Sequence, residues 1–171
     1  TGDWSSDVCS SDLGGLILGY INSDQDKFNG GDIAINTLGT TTPGASLDLY
    51  GTVNANGNNV TIGTPGGPLI GDIDQQYGSG GHSGLLQDVN MLAIDSSGKV
   101  GDQADPVQIN ALGIDIAAAG VVALENTPSG DVANFEIDTK TLSPGTGMGN
   151  IYYHQNGGNL TINGAGVLTD G

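Results

Sequence analysis

The chain contains no arginine and only three lysines, Lys27, Lys99 and Lys140, against 19 aspartates and glutamates. Its formal net charge is −16. Binding nucleic acid requires cationic groups that displace counterions from phosphate, so this balance argues against nucleic acid as a partner. It also disfavours attraction to an anionic lipid surface. Cysteine and tryptophan occur once each, as Cys9 and Trp4. No disulfide framework is available, and no thiolate metal site. There is no apolar run of the length a membrane-spanning helix needs, so no membrane insertion is expected. Aromatic residues are scarce at 5%, so the core has to be aliphatic. Charged residues are few at 13%, and apolar residues recur regularly, which is not the composition of a disordered chain.

Glycine is what the chain has in abundance, 31 residues in 171, with Asn, Thr, Ser and Asp filling most of the rest. Such a composition fits an all-β protein with many turns, because Gly and Asn tolerate the positive φ of tight corners.

Residues 1–13 stand apart from everything after Gly14. They show neither strand nor helix periodicity. Asp3–Leu13, DWSSDVCSSDL, matches residue for residue the translation of a common short-read sequencing adapter. The segment is therefore expected to be an unstructured artefact and is left out of the fold reasoning. Asp3, Asp7 and Asp12 fall inside it, so the formal charge of the remainder is −13. Residues 14–171 are expected to form one repeat segment of a longer protein.

Within that segment, Lys99–Leu124 organises the reading. It holds three apolar i, i+2 pairs, Val107/Ile109, Ile114/Ile116 and Val122/Leu124, each a short strand with one buried face. They follow one another too closely for a helix to intervene. Similar pairs occur at Ile33/Ile35, Leu47/Leu49, Val60/Ile62, Leu92/Ile94, Phe135/Ile137, Ile151/Tyr153 and Leu160/Ile162. The residue between each pair is small or polar in every case except Tyr152, as a strand with one wet face requires. Short strands joined by short corners predict a β-solenoid of about 6–8 coils at roughly 20–25 residues per coil. A β-sandwich is the alternative. It would use Asn-Gly hairpins, and Asn29-Gly30, Asn56-Gly57 and Asn156-Gly157 keep it open. Gln75–Gly84, QQYGSGGHSG, reads as an exposed Gly-rich loop.

Gly98-Lys99-Val100-Gly101, followed four residues later by Pro106-Val107-Gln108-Ile109, resembles the recurring unit of filamentous-haemagglutinin-like and autotransporter-type exoproteins. Asn150-Ile151-Tyr152-Tyr153 and Gly158-Asn159-Leu160-Thr161-Ile162 are similar to the coils of such proteins. The likeness covers Met91–Gly171 well and Asp32–Ile62 loosely, while Gly63–Leu86 departs from it. What it implies is a right-handed parallel β-helix on the surface of a bacterium or outside it. It implies export by two-partner secretion or as an autotransporter passenger, hence a partner in the outer-membrane export machinery. The implied role is an adhesive stalk that meets glycans or proteins on host or environmental surfaces. It brings no catalytic residues and no cofactor.

The alternative to a stalk is a carbohydrate-binding module or a β-helical polysaccharide-degrading enzyme, whose hydrolytic chemistry needs two carboxylates on one groove. The pairs to consider are Asp72/Asp74, Asp102/Asp105 and Asp115/Glu136; as turn residues they serve equally well to cap backbone N–H groups. With no arginine and scattered lysines, a lyase-type cationic base is disfavoured. His82 and His154 are the two histidines, too few for a transition-metal site. Calcium suits oxygen-rich turns, but neither the EF-hand loop nor the Gly-rich nonapeptide that binds it is present. Gly78–Gly84 lacks the Lys and helix of a phosphate loop. Asn59-Val60-Thr61 and Asn159-Leu160-Thr161 match the glycan-acceptor pattern but fall inside strand pairs. Tyr77 and His82 in the Gly-rich loop, and Tyr152 on a wet face, are the candidate contact residues. Tyr152 reads either as an exposed contact aromatic or as a side chain stacking on the next coil.

Overall fold

A computed structural model describes residues 15–18, 21–22, 31–35, 46–49, 51–63, 70–75, 85–139, 149–163 and 166–169. Fifteen strands are present among them and no helix. They are β1 (Gly15–Leu18), β2 (Ile21–Asn22), β3 (Ile33–Ile35), β4 (Ser46–Leu49), β5 (Thr52–Asn54), β6 (Val60–Ile62), β7 (Ile73–Gln75) and β8 (Leu85–Val89). They continue as β9 (Leu92–Ser96), β10 (Val107–Ala111), β11 (Gly113–Ala118), β12 (Val122–Asn126), β13 (Asn134–Thr139), β14 (Ile151–Gln155) and β15 (Val167–Thr169). The adapter-like residues 1–13 lie outside the described residues.

The strands form three sheets, and every strand pair in them is parallel. The first sheet is β1-β4-β7, the second β2-β5-β8-β10-β12-β14, the third β3-β6-β9-β11-β13-β15. Chain order visits first, second and third sheet in turn, three times over. Each visit lands beside the strand laid down one circuit earlier. Backbone groups are thereby paired above and below without hairpins, which is how a helix-free parallel arrangement meets its hydrogen-bonding requirement.

After the third circuit the pattern tightens. Ile73 pairs with Val100, and Val100 with Val122, so the first sheet continues as single bridges into β12. Two residues further along β12, Leu124 pairs with Val107 of the second sheet. One strand therefore spans what two strands covered in earlier coils, and six coils result. The coil length of roughly 20–25 residues holds only for the middle of the stack. Leu92 pairs with Ile114 and Ile114 with Phe135, steps of 22 and 21. Elsewhere the step runs longer, as in Val60 to Leu92 at 32, or shorter, as in Val107 to Leu124 at 17.

The inward side chains stack in register. On the third sheet Ile35, Ile62, Ile94, Ile116 and Ile137 form one column, and Ile33, Val60, Leu92, Ile114 and Phe135 another. All are buried. Nine of the ten sequence pairs lie in strands as expected. The tenth is corrected: Leu160 makes only an isolated bridge to Val132, and Leu160 and Ile162 are 38% and 56% exposed. They belong to the last described coil, with no further coil above to cover them.

Several polar side chains inside the stack bridge its coils, while Gln75 Nε2 and Asp105 Oδ1 are buried without a hydrogen-bond partner. Asn126, fully buried, accepts from Ala111 N and donates to Ala111 O, both at 3.0 Å, and so acts as a short strand for the coil beneath. Its amide also donates to the Tyr153 hydroxyl at 3.1 Å. Tyr153 packs edge-on against Phe135 with ring centroids 4.5 Å apart. Burial pushes the Tyr153 hydroxyl pKa up, against a smaller opposing pull from Asn126. The Ser96 hydroxyl donates to Gly71 O at 2.7 Å, and that of Thr139 to Gly149 O at 3.1 Å, which satisfies carbonyls at the corner leading out of the third sheet.

Asn56 and Gly57 both have positive φ, 48° and 79°. This is the backbone of a hairpin turn, yet the strands it joins do not pair with each other: β5 pairs with β2 and β8, β6 with β3 and β9. The turn is a coil corner. At Asn56-Gly57 the Asn-Gly signal reports the corner chirality and not a hairpin, while Asn29-Gly30 lies outside the described residues.

Candidate functional site

Two rows of side chains stand outward along the second sheet. Register places Thr52, Leu85, Gln108, Glu125 and His154 in one row. Asn54, Gln87, Asn110, Thr127 and Asn156 follow in the other, on either side of the inward row Val53, Leu86, Ile109, Asn126 and Gln155. A shallow depression of about 280 Å³ opens here, lined by Leu85, Gln108, Ile109, Asn110, Glu125 and Thr127.

A strand bulge lies beside the depression. In β8 the side chains of Gln87 and Asp88 are both exposed between buried Leu86 and Val89, and Asp88 has φ 53°. Two residues of β8 oppose Asn110 alone on β10, so the strand bulges there. The bulge is tied down from below, since Gln87 O accepts from Ala55 N at 2.9 Å and Asp88 O from Gly57 N at 2.6 Å. Beneath β10, the Gln75 Oε1 accepts from Gln108 N at 3.0 Å. Gln75 is thus a buried inward side chain at the end of β7, a correction to its placement as the start of an exposed loop. On the far side, Glu125 Oε1 accepts from Asn156 Nδ2 at 2.9 Å and lies 3.8 Å from His154 Nδ1, an ion pair only when His154 is protonated.

The three carboxylate pairs fare differently. Asp72 and Asp74 do share a face, but both are drawn to one lysine. Asp72 Oδ1 accepts from Lys99 N at 2.9 Å, and Lys99 Nζ lies 3.0 Å from Asp74 and is paired with Asp102. The bond to Asp102 raises the Lys99 pKa, desolvation opposes it, and Asp74 adds to the rise. Lys99 is the one lysine among the described residues, and these carboxylates hold it. Asp102 and Asp105 close a small loop, each backbone N–H donating to the other's carbonyl at 3.0 Å. Asp115 and Glu136 are the pair the fold brings side by side on neighbouring coils, facing outward on the third sheet. The depression lies on the second sheet, not there.

Tyr77 and His82 fall outside the described residues. Tyr152 stands half-buried on the outer side of β14, in register with Ala123 of the coil below. The structure does not gather the candidate contact residues into one place. It assembles instead a set that sequence reading passes over: Gln87, Asp88, Gln108, Asn110, Glu125 and Thr127. Their only signal in the sequence is that they flank inward apolar residues. Which of them become neighbours depends on coil lengths that vary along the chain. Among the described residues no group of three or more His, Cys, Asp or Glu side chains is placed to hold a metal ion. No described helix could cross a membrane, which leaves strand-built membrane barrels unaddressed. Comparison of the chain with protein-family models, with curated proteins and with solved structures finds no match.

Proposed function

We propose that this chain is a segment of a right-handed parallel β-helix. It belongs to a large bacterial protein of the filamentous-haemagglutinin-like or autotransporter type, secreted or held at the cell surface. Its work is mechanical and adhesive: a stiff rod carries contact surfaces away from the cell. The observation that supports this most is the unbroken in-register stacking of inward aliphatic residues over successive coils. Such a stack resists bending, because any tilt between coils opens a close-packed interior. Contacts are left to outward rows and loops, the places where binding groups on a rigid scaffold vary.

The reading is tested at the source locus by long-read sequencing through codons 1–13 and past Gly171. The expected result is that the adapter codons vanish and the frame continues through further coils to an export domain or barrel. Adapter codons that persist, with a stop just after Gly171, would sink both the artefact and the exoprotein readings. A polysaccharide-degrading β-helix is the second reading, favoured by the side-by-side placement of Asp115 and Glu136. Polysaccharide cleavage that disappears in Asp115→Asn would establish it.

A further inference from the structure

We propose that the outer face of the second sheet is a binding track for a neutral glycan chain, centred on the depression between β8 and β12 and running along the coil axis. The proposal rests on the surface-rod reading and adds to it a site and a ligand class.

The chemistry of the lining selects the class. Gln108 and Asn110 offer amides that both donate and accept, Thr127 a hydroxyl that does both, and Glu125 a carboxylate that accepts, with the exposed Gln87 amide beside them on β8. Leu85 contributes an apolar side. A sugar presents matching groups, hydroxyls that donate and accept around a ring with apolar C–H faces. Anionic polymers are disfavoured by the chain's charge of −16 and by the capture of Lys99 between Asp74 and Asp102. An extended peptide would seek backbone partners. The strands beneath the depression have theirs on both sides, since β10 is paired with β8 and with β12. Recognition on this face is left to side chains.

The arrangement suits a polymer better than a single small molecule. Each outward row offers one side chain per coil, at strand spacing of about 4.8 Å. A chain of hydroxyl-bearing units laid along the axis meets a fresh outward pair at each coil, from Thr52/Asn54 at one end to His154/Asn156 at the other, polar on both sides except at Leu85/Gln87. The pinned bulge at Gln87–Asp88 and the Gln75 brace under Gln108 fix the backbone before any ligand arrives, which lowers the ordering cost of binding. With no Tyr, Trp or Phe in either row, a single stretch should bind weakly, in the millimolar range, and gain by repetition along the rod.

The test is a titration of isotope-labelled residues 14–171 by NMR with three neutral hexasaccharides, of glucose, mannose and N-acetylglucosamine. A hexagalacturonate serves as the anionic control. The expected result is shift changes confined to Gln87, Asp88, Gln108, Asn110, Glu125 and Thr127 with at least one neutral sugar. Binding should weaken roughly tenfold in the Gln108→Ala/Asn110→Ala double variant and stay unchanged in Thr61→Ala, an outward residue of the third sheet. Any of four results overturns the proposal. These are no shift with any neutral sugar into the millimolar range, shifts centred on another face, preference for the acidic sugar, or equal shifts with calcium or oligolysine. The same spectra show whether the double variant keeps the stacked fold, so lost binding is separable from lost structure. Failure here leaves the rod reading standing, while a locus without further coils removes the rod and leaves this face to be judged as a standalone sugar-binding surface.

Discussion

The fourth and fifth coils, Val100–Thr139, and the last one, Gly149–Thr169, are built from the same kind of sequence and end up in opposite environments. Ile114, Ile116, Val122, Leu124 and Ile137 are essentially inaccessible to solvent. Val167 and Leu168, in the last strand, are 45% and 42% exposed, and Ile151 and Tyr153 are only partly covered. An apolar i, i+2 pair marks a strand in nine of the ten places it occurs, but it makes core only when a coil lies on both sides of it. In a stack, burial belongs to position along the axis and only secondarily to residue type.

Substitution of inward isoleucines sharpens this contrast most. Ile114→Ala should cost about 2–5 kcal/mol in chemical denaturation, since its neighbours Leu92 and Phe135 on both sides cannot close the void. Ile162→Ala, on the exposed end, should stay within about 0.5 kcal/mol. Similar losses at both sites would break the comparison.

Corners give a second contrast. Gly101 has φ 69°, and a Cβ there would stand 2.7 Å from Ala123 O and 2.9 Å from Val107 N. Gly57 has φ 79° with nothing within 4 Å. Gly101→Ala is expected to lose about 1–3 kcal/mol from backbone strain, with the close contacts pushing toward the upper end. Gly57→Ala should lose about 1 kcal/mol from strain alone. Equal melting shifts for the two would mean that the coils do not press together at Gly101.

Asn126→Ala probes the buried amide where the packed coils meet the open one. It leaves Ala111 N–H and C=O without their partner, a loss of about 1–3 kcal/mol. It should also speed amide exchange at Ala111 while leaving Ile35 and Ile62 unchanged.

The smallest effect is expected at Lys99. Its ion pairs to Asp74 and Asp102 are partly exposed, so Lys99→Met should change stability at neutral pH by no more than about 1 kcal/mol. The pH dependence carries the signature. Because folding raises this pKa, its contribution is complete below the unfolded value of about 10.4 and fades as pH climbs through the folded one. The wild-type chain should lose stability on that alkaline side more steeply than the variant does.

Much of the fold was legible because apolar alternation is a local property. The pairs from Ile33/Ile35 to Ile151/Tyr153 name their strands without reference to anything distant. The Gly98–Gly101 unit was legible only as a recurring motif, and the structure supplies a reason for its glycines. A Cβ at Gly98 would stand 2.1 Å from the Asp72 carboxylate one coil below, and Gly101 takes positive φ. What could not be read was stacking. Leu86 and Val100 are single inward residues whose i+2 neighbours, Asp88 and Asp102, are exposed and charged, so no alternation announces them, although both are fully buried. Val100 is the bridge by which the first sheet runs into β12. The outward rows were hidden for the same reason. Gln108 meets Glu125 after 17 residues, whereas Asn54 meets Gln87 after 33, and no fixed period brings both into one row.

That unevenness has a thermodynamic meaning. Closing a flexible loop costs an entropy that grows only logarithmically with its length, so doubling the loop adds about 0.6 kcal/mol. The step from Val53 to Leu86 is nearly twice the step from Val107 to Leu124, yet by this measure the longer circuit is scarcely more expensive to close. Chain inserted between strands is thus almost neutral for stability as long as the next strand lands in register. An architecture of this kind can gain, lose or exchange surface loops one at a time, and the interior need never be rebuilt.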